Sequence, residues 1–302
     1  MSEISRLEHD PKEVIESRVA LHFRRHGKKE KTLTGQSDRE VPLTMEGRQQ
    51  AVAVGKELNP NSKMSLARGS FRLRAQEVAG RAMLANEESI TPEMSMDEIS
   101  KQIENELKFG KKIVPDPNLD FYEKKHSQLQ EQTEKAYGER RTSEFMVHES
   151  DQTALETGDL ESSTYTRLAG QVAELVKKYA EIGSNFQGIV ERNPEKYQEF
   201  HNQLERYFGT HNTVSDSFVA RVIEKQQGVA AREEFLRILG PMGFNEAEGF
   251  GIEITNRGPV QEIVMHVKVK DREWRLEIPA ALLNELIEDR DAFNLEVARS
   301  TE

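Results

Sequence analysis

The chain has 302 residues, a formal net charge of -11 and no cysteine. That composition excludes disulfides, thiolate nucleophiles and cysteine-ligated zinc. The acidic balance disfavours nonspecific nucleic-acid binding, because polyanionic phosphate is repelled overall while a local positive pocket is still allowed. Residues 1–17 are charged and lack an apolar centre, and no run approaches the ~20 apolar residues of a membrane helix. With 31% charged residues, the sequence predicts a soluble, cytoplasmic protein with no membrane or nucleic-acid partner. The length allows one large core.

A polar lead-in over 1–16 precedes a strand over 17–24, and 28–43 reads as a loop. Thr44 can cap a helix in which Ala51, Val54, Gly55 and Leu58 share one face, ended by Asn59-Pro60-Asn61. A short strand is expected over 63–67. Ser70 then caps a second helix with Ala75, Val78, Ala79, Ala82 and Met83 as its apolar stripe. Over 91–162 apolar residues thin out. This stretch contains a helix over 96–109, a Pro-containing loop over 114–118, a polar helix over 123–138 and an aperiodic tail over 149–161. It reads as a polar insertion or cap lying over one end of a sheet.

Periodicity resumes at Ser163, where Leu168, Val172, Leu175, Val176 and Tyr179 mark a helix. The stretch 197–208 is ambiguous, with a short strand available over 203–209 before Thr210-His211-Asn212. Val214, Phe218 and Val222 mark the next helix and 231–239 another, broken by Gly240-Pro241-Met242-Gly243. Three strands follow: 251–255, then the alternating Ile263, Met265, Val267 and Val269, then Trp274, Leu276 and Ile278. They form a C-terminal β-meander over 250–279, and Pro279 opens a closing helix.

Three strand-to-helix junctions carry basic or imidazole groups: Arg25 with His26, Arg74, and His211. In open α/β sheets, ligands sit at the carboxyl ends of strands, where such junctions converge. A guanidinium offers a planar fork to phosphate, and a helix N-terminus favours an anion. An imidazole of ordinary pKa, ~6.5, supplies a neutral nucleophile near neutrality. Together these groups suit one dianionic ligand. Arg68 and Arg72 compete with Arg74 for the second phosphate position, and the Ala-x-Glu-x-Ala that follows favours Arg74.

The motifs resemble the histidine phosphatase superfamily, the phosphoglycerate mutase-like fold. Arg25-His26-Gly27 after a strand matches the signature tripeptide. The stretch from Pro42-Leu43-Thr44 through Gly47 to Gln50-Ala51 matches a second motif, with Gly35 and Asp38 echoing the loop before it. Arg74-Ala75-Gln76-Glu77-Val78-Ala79 resembles a third, and His211 at a strand end the second histidine. The likeness is close over 17–86 and loose over 163–223.

It implies one domain over 1–302. The fold would be a three-layer α/β/α sandwich with a mostly parallel central sheet, the helical insertion near the site and the antiparallel extension. It also implies a metal-independent phosphomonoesterase, with no cofactor, acting on a small phosphorylated molecule or a phosphoprotein. His26 would become a transient phosphohistidine while Arg25, Arg74 and His211 hold the phosphoryl oxygens. A carboxyl from the inserted region would be the general acid, either Glu123 or Asp120. Lys28, Lys29, Thr32 and Asn212 flank the motifs and are candidate substrate contacts. Lys28-Lys29 could also hold a second phosphate, which keeps a phosphoryl mutase as the alternative. Asn212, where a smaller residue is usual, keeps a non-catalytic phosphate-binding relative as another.

Overall fold

Val19, Leu21 and Phe23 alternate with Ala20, His22 and Arg24 along the first strand, β1 (Glu16–Arg25), and only the first set is fully buried. The period of two sends one set into a large core and the other to the opposite face of the sheet. The computed structural model describes residues 15–58, 64–105 and 113–300. The expected lead-in over 1–14, the helix stop at Asn59-Pro60-Asn61 and the far end of the helix over 96–109 lie outside them. After β1 come α1 (Met45–Leu58), β2 (Ser65–Gly69), α2 (Leu73–Met83), α3 (Met96–Asn105) and β3 (Ile113–Pro115). Then follow α4 (Gln128–Gly138), α5 (Thr142–His148), α6 (Ser150–Thr157), the long α7 (Tyr165–Arg192), α8 (Pro194–Gln198) and β4 (Gln203–Thr210). The chain continues through α9 (Asn212–Gln227), α10 (Val229–Leu239), β5 (Gly249–Arg257), β6 (Val260–Val269), β7 (Arg272–Glu277) and α11 (Ala280–Ser300).

The strands form one sheet in the order β3-β2-β4-β1-β5-β6-β7. β1, β2, β3 and β4 are parallel neighbours, and β5, β6 and β7 extend the sheet in antiparallel fashion. The fold is therefore α/β with a mixed central sheet, as the sequence predicts. Phe23 packs between Phe208 and Phe250, with ring centroids 4.6 Å away on each side. Leu175 and Tyr179 of α7 and Phe218 of α9 close over that face. On the reverse face, Ala79 and Met83 of α2 and Ile99 of α3 cover Ala67 and Tyr207.

Three stretches differ from the sequence reading. The loop expected over 114–118 is in part strand: Ile113–Pro115 pairs with β2, Ala67 opposite Ile113 and Arg68 opposite Val114. Proline has no amide to donate, which an edge strand tolerates. The aperiodic tail over 149–161 contains α6, closed by Gly158 in the left-handed conformation at φ 66°. The segment 91–162 supplies elements to more than one layer, since α3 joins the α2 side, β3 joins the sheet, and α5 packs near α9. Its buried apolar residues stand singly, as Ile99, Leu129 and Ala154, or in a run, Phe145-Met146-Val147, and neither arrangement has helical spacing.

Glycine fixes the position of α2. Gly69 of β2 and Gly209 of β4 are direct partners. A Cβ on Gly209 would lie 1.7 Å from the Ala75 carbonyl oxygen, and one on Gly69 would lie 2.6 Å from Gln76. The first turn of α2 thus rests directly on backbone at the strand ends, a contact that only glycine permits. Gly209→Ala is expected to cost about 1–3 kcal/mol, the usual range for overpacking. A lowered urea midpoint at constant slope would record it, and an unchanged midpoint would refute this account of α2.

Candidate active site

Register explains why the two histidines meet. β1 and β4 are adjacent and parallel with Arg25 opposite Thr210, so His26 and His211 leave the sheet side by side. The His26 amide donates to the Thr210 carbonyl at 3.0 Å. β2 ends on the neighbouring rung, where the Ser70 amide donates to the Gly209 carbonyl at 3.1 Å. The imidazoles lie edge to face with centroids 5.2 Å apart, a spacing that one tetrahedral oxyanion can bridge.

Each ring is oriented. His26 Nδ1 lies 2.8 Å from the Gly27 carbonyl, which makes Nδ1 the protonated nitrogen and leaves Nε2 its lone pair. Burial, reinforced by Arg74, pushes the His26 pKa down to about 3. His211 is 2% exposed, at the N-terminus of α9. Its Nε2 is 2.9 Å from the Ser70 hydroxyl and 3.6 Å from Asp120 Oδ1, and Phe121 packs edge-on at 4.9 Å. Burial, then His26 and the arginines, hold its pKa well below the ordinary value. Both rings are therefore neutral at physiological pH.

The cations are gathered around them. Arg74 is 3% exposed and projects from the first turn of α2. Its Nη1 donates to the Asp38 carbonyl at 2.7 Å and its Nη2 to Asp38 Oδ2 at 2.9 Å. Arg72 donates through Nε to Asp120 Oδ1 at 3.1 Å, through Nη1 to Asp38 Oδ2 and through Nη2 to the Phe121 carbonyl. Its guanidinium also lies 4.0 Å from the Phe121 ring centre. Arg25 donates through Nη1 to the Phe244 carbonyl. Among the described residues, the buried Nε groups of Arg25 and Arg74 have no acceptor. Arg68 belongs elsewhere, paired with Asp116 at 2.9 Å.

The two candidate acids have different surroundings. Asp120 is committed to Arg72, His211 and the Phe121 amide. Glu123 is half-buried with no hydrogen bond or ion pair among the described residues. Burial pushes its pKa up to about 7, opposed by Arg72 and aided by Glu134 and Asp38. Lys28 is turned onto Glu46 and Lys29 is paired with Asp38 at 3.0 Å. Thr32 is exposed on the loop. Asn212 points away from the imidazoles, its Nδ2 donating to the Met242 carbonyl at 2.8 Å.

Sequence reasoning missed the groups that hold the cations. Asp38 opens a short 3-10 helix, Asp38–Glu40, inside the stretch expected to be loop, and the sequence marked it only through the likeness of Gly35 and Asp38 to the family's loop, with no partner assigned. Asp216, one turn beyond Asn212 on α9, is fully buried and accepts from the Phe244 amide at 3.2 Å through Oδ1. Asn212 and Asp216 thus pin the turn after α10, whose Phe244 carbonyl in turn holds Arg25. Nothing in the pattern of α9 marks Asp216 as a polar residue facing inward.

A separate cleft of about 760 Å³ opens on the other face of β1, where His22, Arg24, Glu57 and Gly251 line it. The alternation of the strand turns Arg24 away from the imidazoles.

Residues 21–109 match the family model described as Histidine phosphatase superfamily (branch 1). No curated protein matches the chain. Among solved structures, the chain is similar to a mycobacterial glucosyl-3-phosphoglycerate phosphatase. The identity is 15% and the TM-score 0.41, over 80% of this chain and 91% of that one. It is similar to a mycobacterial hydrolase at 13% identity and TM-score 0.41, over 87% and 97% of the two chains. It is similar to phosphoglycerate mutase from Bacillus anthracis str. Sterne at 15% identity and TM-score 0.37, over 95% and 98%.

The buried acid beneath Arg25 carries a stability signature. Burial raises the Asp216 pKa from 3.8 to about 7, opposed by the Phe244 amide, the Ser143 hydroxyl and Arg25. A folded-state pKa above the unfolded one means stability present at low pH and lost as pH climbs through about 7. Asp216→Asn keeps the acceptor for Phe244 and removes the ionisation. Its melting temperature should rise relative to the wild type between pH 3.8 and about 7 and hold a constant difference above. A difference that does not vary with pH would contradict this assignment.

Proposed function

We propose, on the premise that residues 21–109 carry the histidine phosphatase superfamily signature, that the protein is a phosphomonoesterase working through a phosphohistidine at His26. The observation that carries this reading is the pair of neutral imidazoles 5.2 Å apart, His211 buried and His26 partly exposed, beside the buried Arg74 and the partly buried Arg25 and Arg72. A neutral His26 with its lone pair on Nε2 is a nucleophile, and Arg25, Arg74 and His211 are placed to take phosphoryl oxygens.

In the first step His26 Nε2 attacks phosphorus. The bond from phosphorus to the ester oxygen breaks, and the protonated Glu123 gives its proton to that oxygen. Charge that develops on the phosphoryl oxygens is met by N–H donors already held in place. In the second step the Glu123 carboxylate removes a proton from water, the water oxygen attacks phosphorus, and the N–P bond breaks. Phosphate is released, and His26 and Glu123 return to their starting forms. A carboxyl of pKa about 7 serves both directions near neutrality. Asp120 fits a different part: it orients Arg72 and lies against His211.

No group of three His, Asp or Glu side chains suited to a metal ion is present among the described residues. The reading therefore assigns positive charge to the arginines. The mutase alternative needs a cation for a second phosphate, and Lys28 and Lys29 are already engaged by Glu46 and Asp38. Release of free phosphate outpacing isomerised product is the result expected; the reverse would establish the mutase.

Two variants test the chemistry. With an aryl phosphate and a chelator present, the wild type should turn over and His26→Ala should lose at least roughly a thousandfold. Retained activity in His26→Ala, or dependence on added metal, would refute the mechanism. In kcat/KM, which reports the first step, Glu123→Gln should lose roughly 10²–10⁴-fold on alkyl esters, and far less on an aryl ester whose leaving group needs no proton. The wild-type kcat/KM on alkyl esters should fall above about pH 7, as Glu123 deprotonates, and this limb should vanish in Glu123→Gln. An equal loss of kcat/KM on both ester types would assign the acid to another residue.

A further inference from the structure

We propose that the cleft lined by His22 and Arg24 binds a planar, singly charged organic anion, an aromatic carboxylate, with its ring over Gly251 between His22 and His266 and its carboxylate on Arg24. The site lies outside the phosphoryl pocket and does not rest on the phosphatase reading.

Cross-strand register builds the floor. His22 of β1 stands opposite Tyr207 of β4 on one side and Gly251 of β5 on the other. Gly251 stands opposite His266 of β6, and His266 opposite Arg275 of β7. Direct partners project to the same face of a sheet. The row therefore reads Tyr207, His22, Gly251, His266, Arg275: planar side chains with one position bare. At one end the rings already meet, with the His22 and Tyr207 centroids 5.0 Å apart. Strands spaced about 4.8 Å apart put the His22 and His266 backbones about 10 Å from each other. One aromatic ring fits that interval and stacks on an imidazole at either side. Packing does not demand the glycine. A Cβ on Gly251 would meet only the Leu21 carbonyl oxygen among the described residues, at an ordinary 3.8 Å, and its φ is not in the left-handed region.

Arg24 supplies the charge. It lies two residues along β1 on the same face, opposite Gly249. Its Nε is buried, and among the described residues its guanidinium makes no hydrogen bond or ion pair. Other arginines whose Nε is buried without an acceptor, such as Arg25, Arg48, Arg68 and Arg81, each place an Nη on a carbonyl or carboxylate. Burial lowers the Arg24 pKa to about 10, with Glu57 and Glu248 opposing at longer range, so the group stays charged. Burial, then Arg24, pushes the His22 pKa down to about 3, and that ring is neutral. The remaining cations of the cleft are engaged. Lys268 lies 3.7 Å from Glu273, Lys270 donates to the Ile238 carbonyl at 2.7 Å, and Arg275 lies 3.8 Å from Glu262. Arg24 can pair with one negative charge; a second charge on the ligand would meet Glu57, Glu248 and Glu253 in the same cleft. The volume of about 760 Å³ falls within the ~300–1,000 Å³ of small-molecule pockets.

Titration of benzoate into the whole protein, followed by the carbon–proton correlations of the histidine rings, tests this. The ring protons of His22 and His266 should move upfield to a saturable limit, as stacked rings shield one another. Acetate carries the charge without the ring and should bind there at least roughly tenfold more weakly, and inorganic phosphate should leave both rings unmoved. Arg24→Gln and Gly251→Leu, each checked for folding by circular dichroism, should weaken benzoate at least roughly tenfold, the first by removing the charge and the second by filling the floor. The wild type alone can overturn the proposal. It fails if His22 and His266 do not move, whether or not His26 and His211 do, and it fails if acetate or phosphate binds beside His22 as tightly as benzoate. A folded Arg24→Gln or Gly251→Leu that binds benzoate unchanged overturns it equally.

Discussion

The site depends on holding guanidinium groups of like charge close together, with Arg74 buried and Arg25 and Arg72 partly buried. Desolvation alone lowers the Arg74 pKa, and the neighbouring Arg72 adds to that strain while Asp38 relieves it. Buried charges survive only when paired and hydrogen-bonded. Here the pairing comes from Asp38 and Asp120, and the hydrogen bonds from the carbonyls of Asp38, Phe121 and Phe244. The same cationic crowd, acting with burial, keeps both imidazoles neutral. Asp38 itself is held below the ordinary carboxylate range by Arg74 and Lys29 despite its partial burial. The electrostatics of imidazoles and cations are thus one coupled problem, solved by a few acceptors at the ends of strands.

Backbone geometry brings those groups to one place. The rungs Gly69–Gly209 and Arg25–Thr210 bring three parallel strands to an end within about one residue of each other. Each strand then releases its functional residue at nearly the same height: His26 after β1, Ser70 after β2 and His211 after β4. The glycine rung lets α2 descend onto the strand ends, so Arg72 and Arg74 reach across to the histidines. Asn212 and Asp216 do the corresponding work from α9, fixing the turn whose Phe244 carbonyl meets Arg25. The core behind β1, with Phe23 stacked on Phe250, is what keeps the strand ends from shifting.

Much of this was legible in the sequence, for specific reasons. The strand before Arg25-His26-Gly27, the stripe of α2 and the meander at 250–279 all have strong periodicity, and periodicity reports burial. The convergence of Arg25, His26, Arg74 and His211 followed from their common place at strand-to-helix junctions. What stayed hidden was what touches them. Asp38 lies in a three-residue 3-10 helix, too short for any period to assign a face, and Asp216 is a polar residue on an apolar side of a helix. The edge strand at Ile113–Pro115 was obscured by its proline, and α5 and α6 by their short length and by buried apolar residues that fall in a run, Phe145-Met146-Val147, or singly, as Ala154, rather than at helical spacing. Thr32 and Asn212 were placed with the substrate contacts by neighbourhood in the chain. Neighbourhood in the chain does not determine direction, and Asn212 turns toward Met242.

The pair of carboxyls left open by the sequence illustrates how environment assigns chemistry. Asp120 and Glu123 stand three positions apart in one extended stretch, and composition cannot rank them. Asp120 accepts from Arg72 and from the Phe121 amide and faces His211, so its charge is already employed in orienting the pocket. Glu123 is half-buried without such partners, and desolvation then favours its neutral form. A proton donor must hold a proton at working pH, and a proton acceptor must be able to give it up again. Near neutrality only a carboxyl raised well above its ordinary range meets both demands, and strong pairing to a cation works against that. The two acids differ in that Arg72 hydrogen-bonds directly to Asp120, whereas its effect on Glu123 is outweighed by burial.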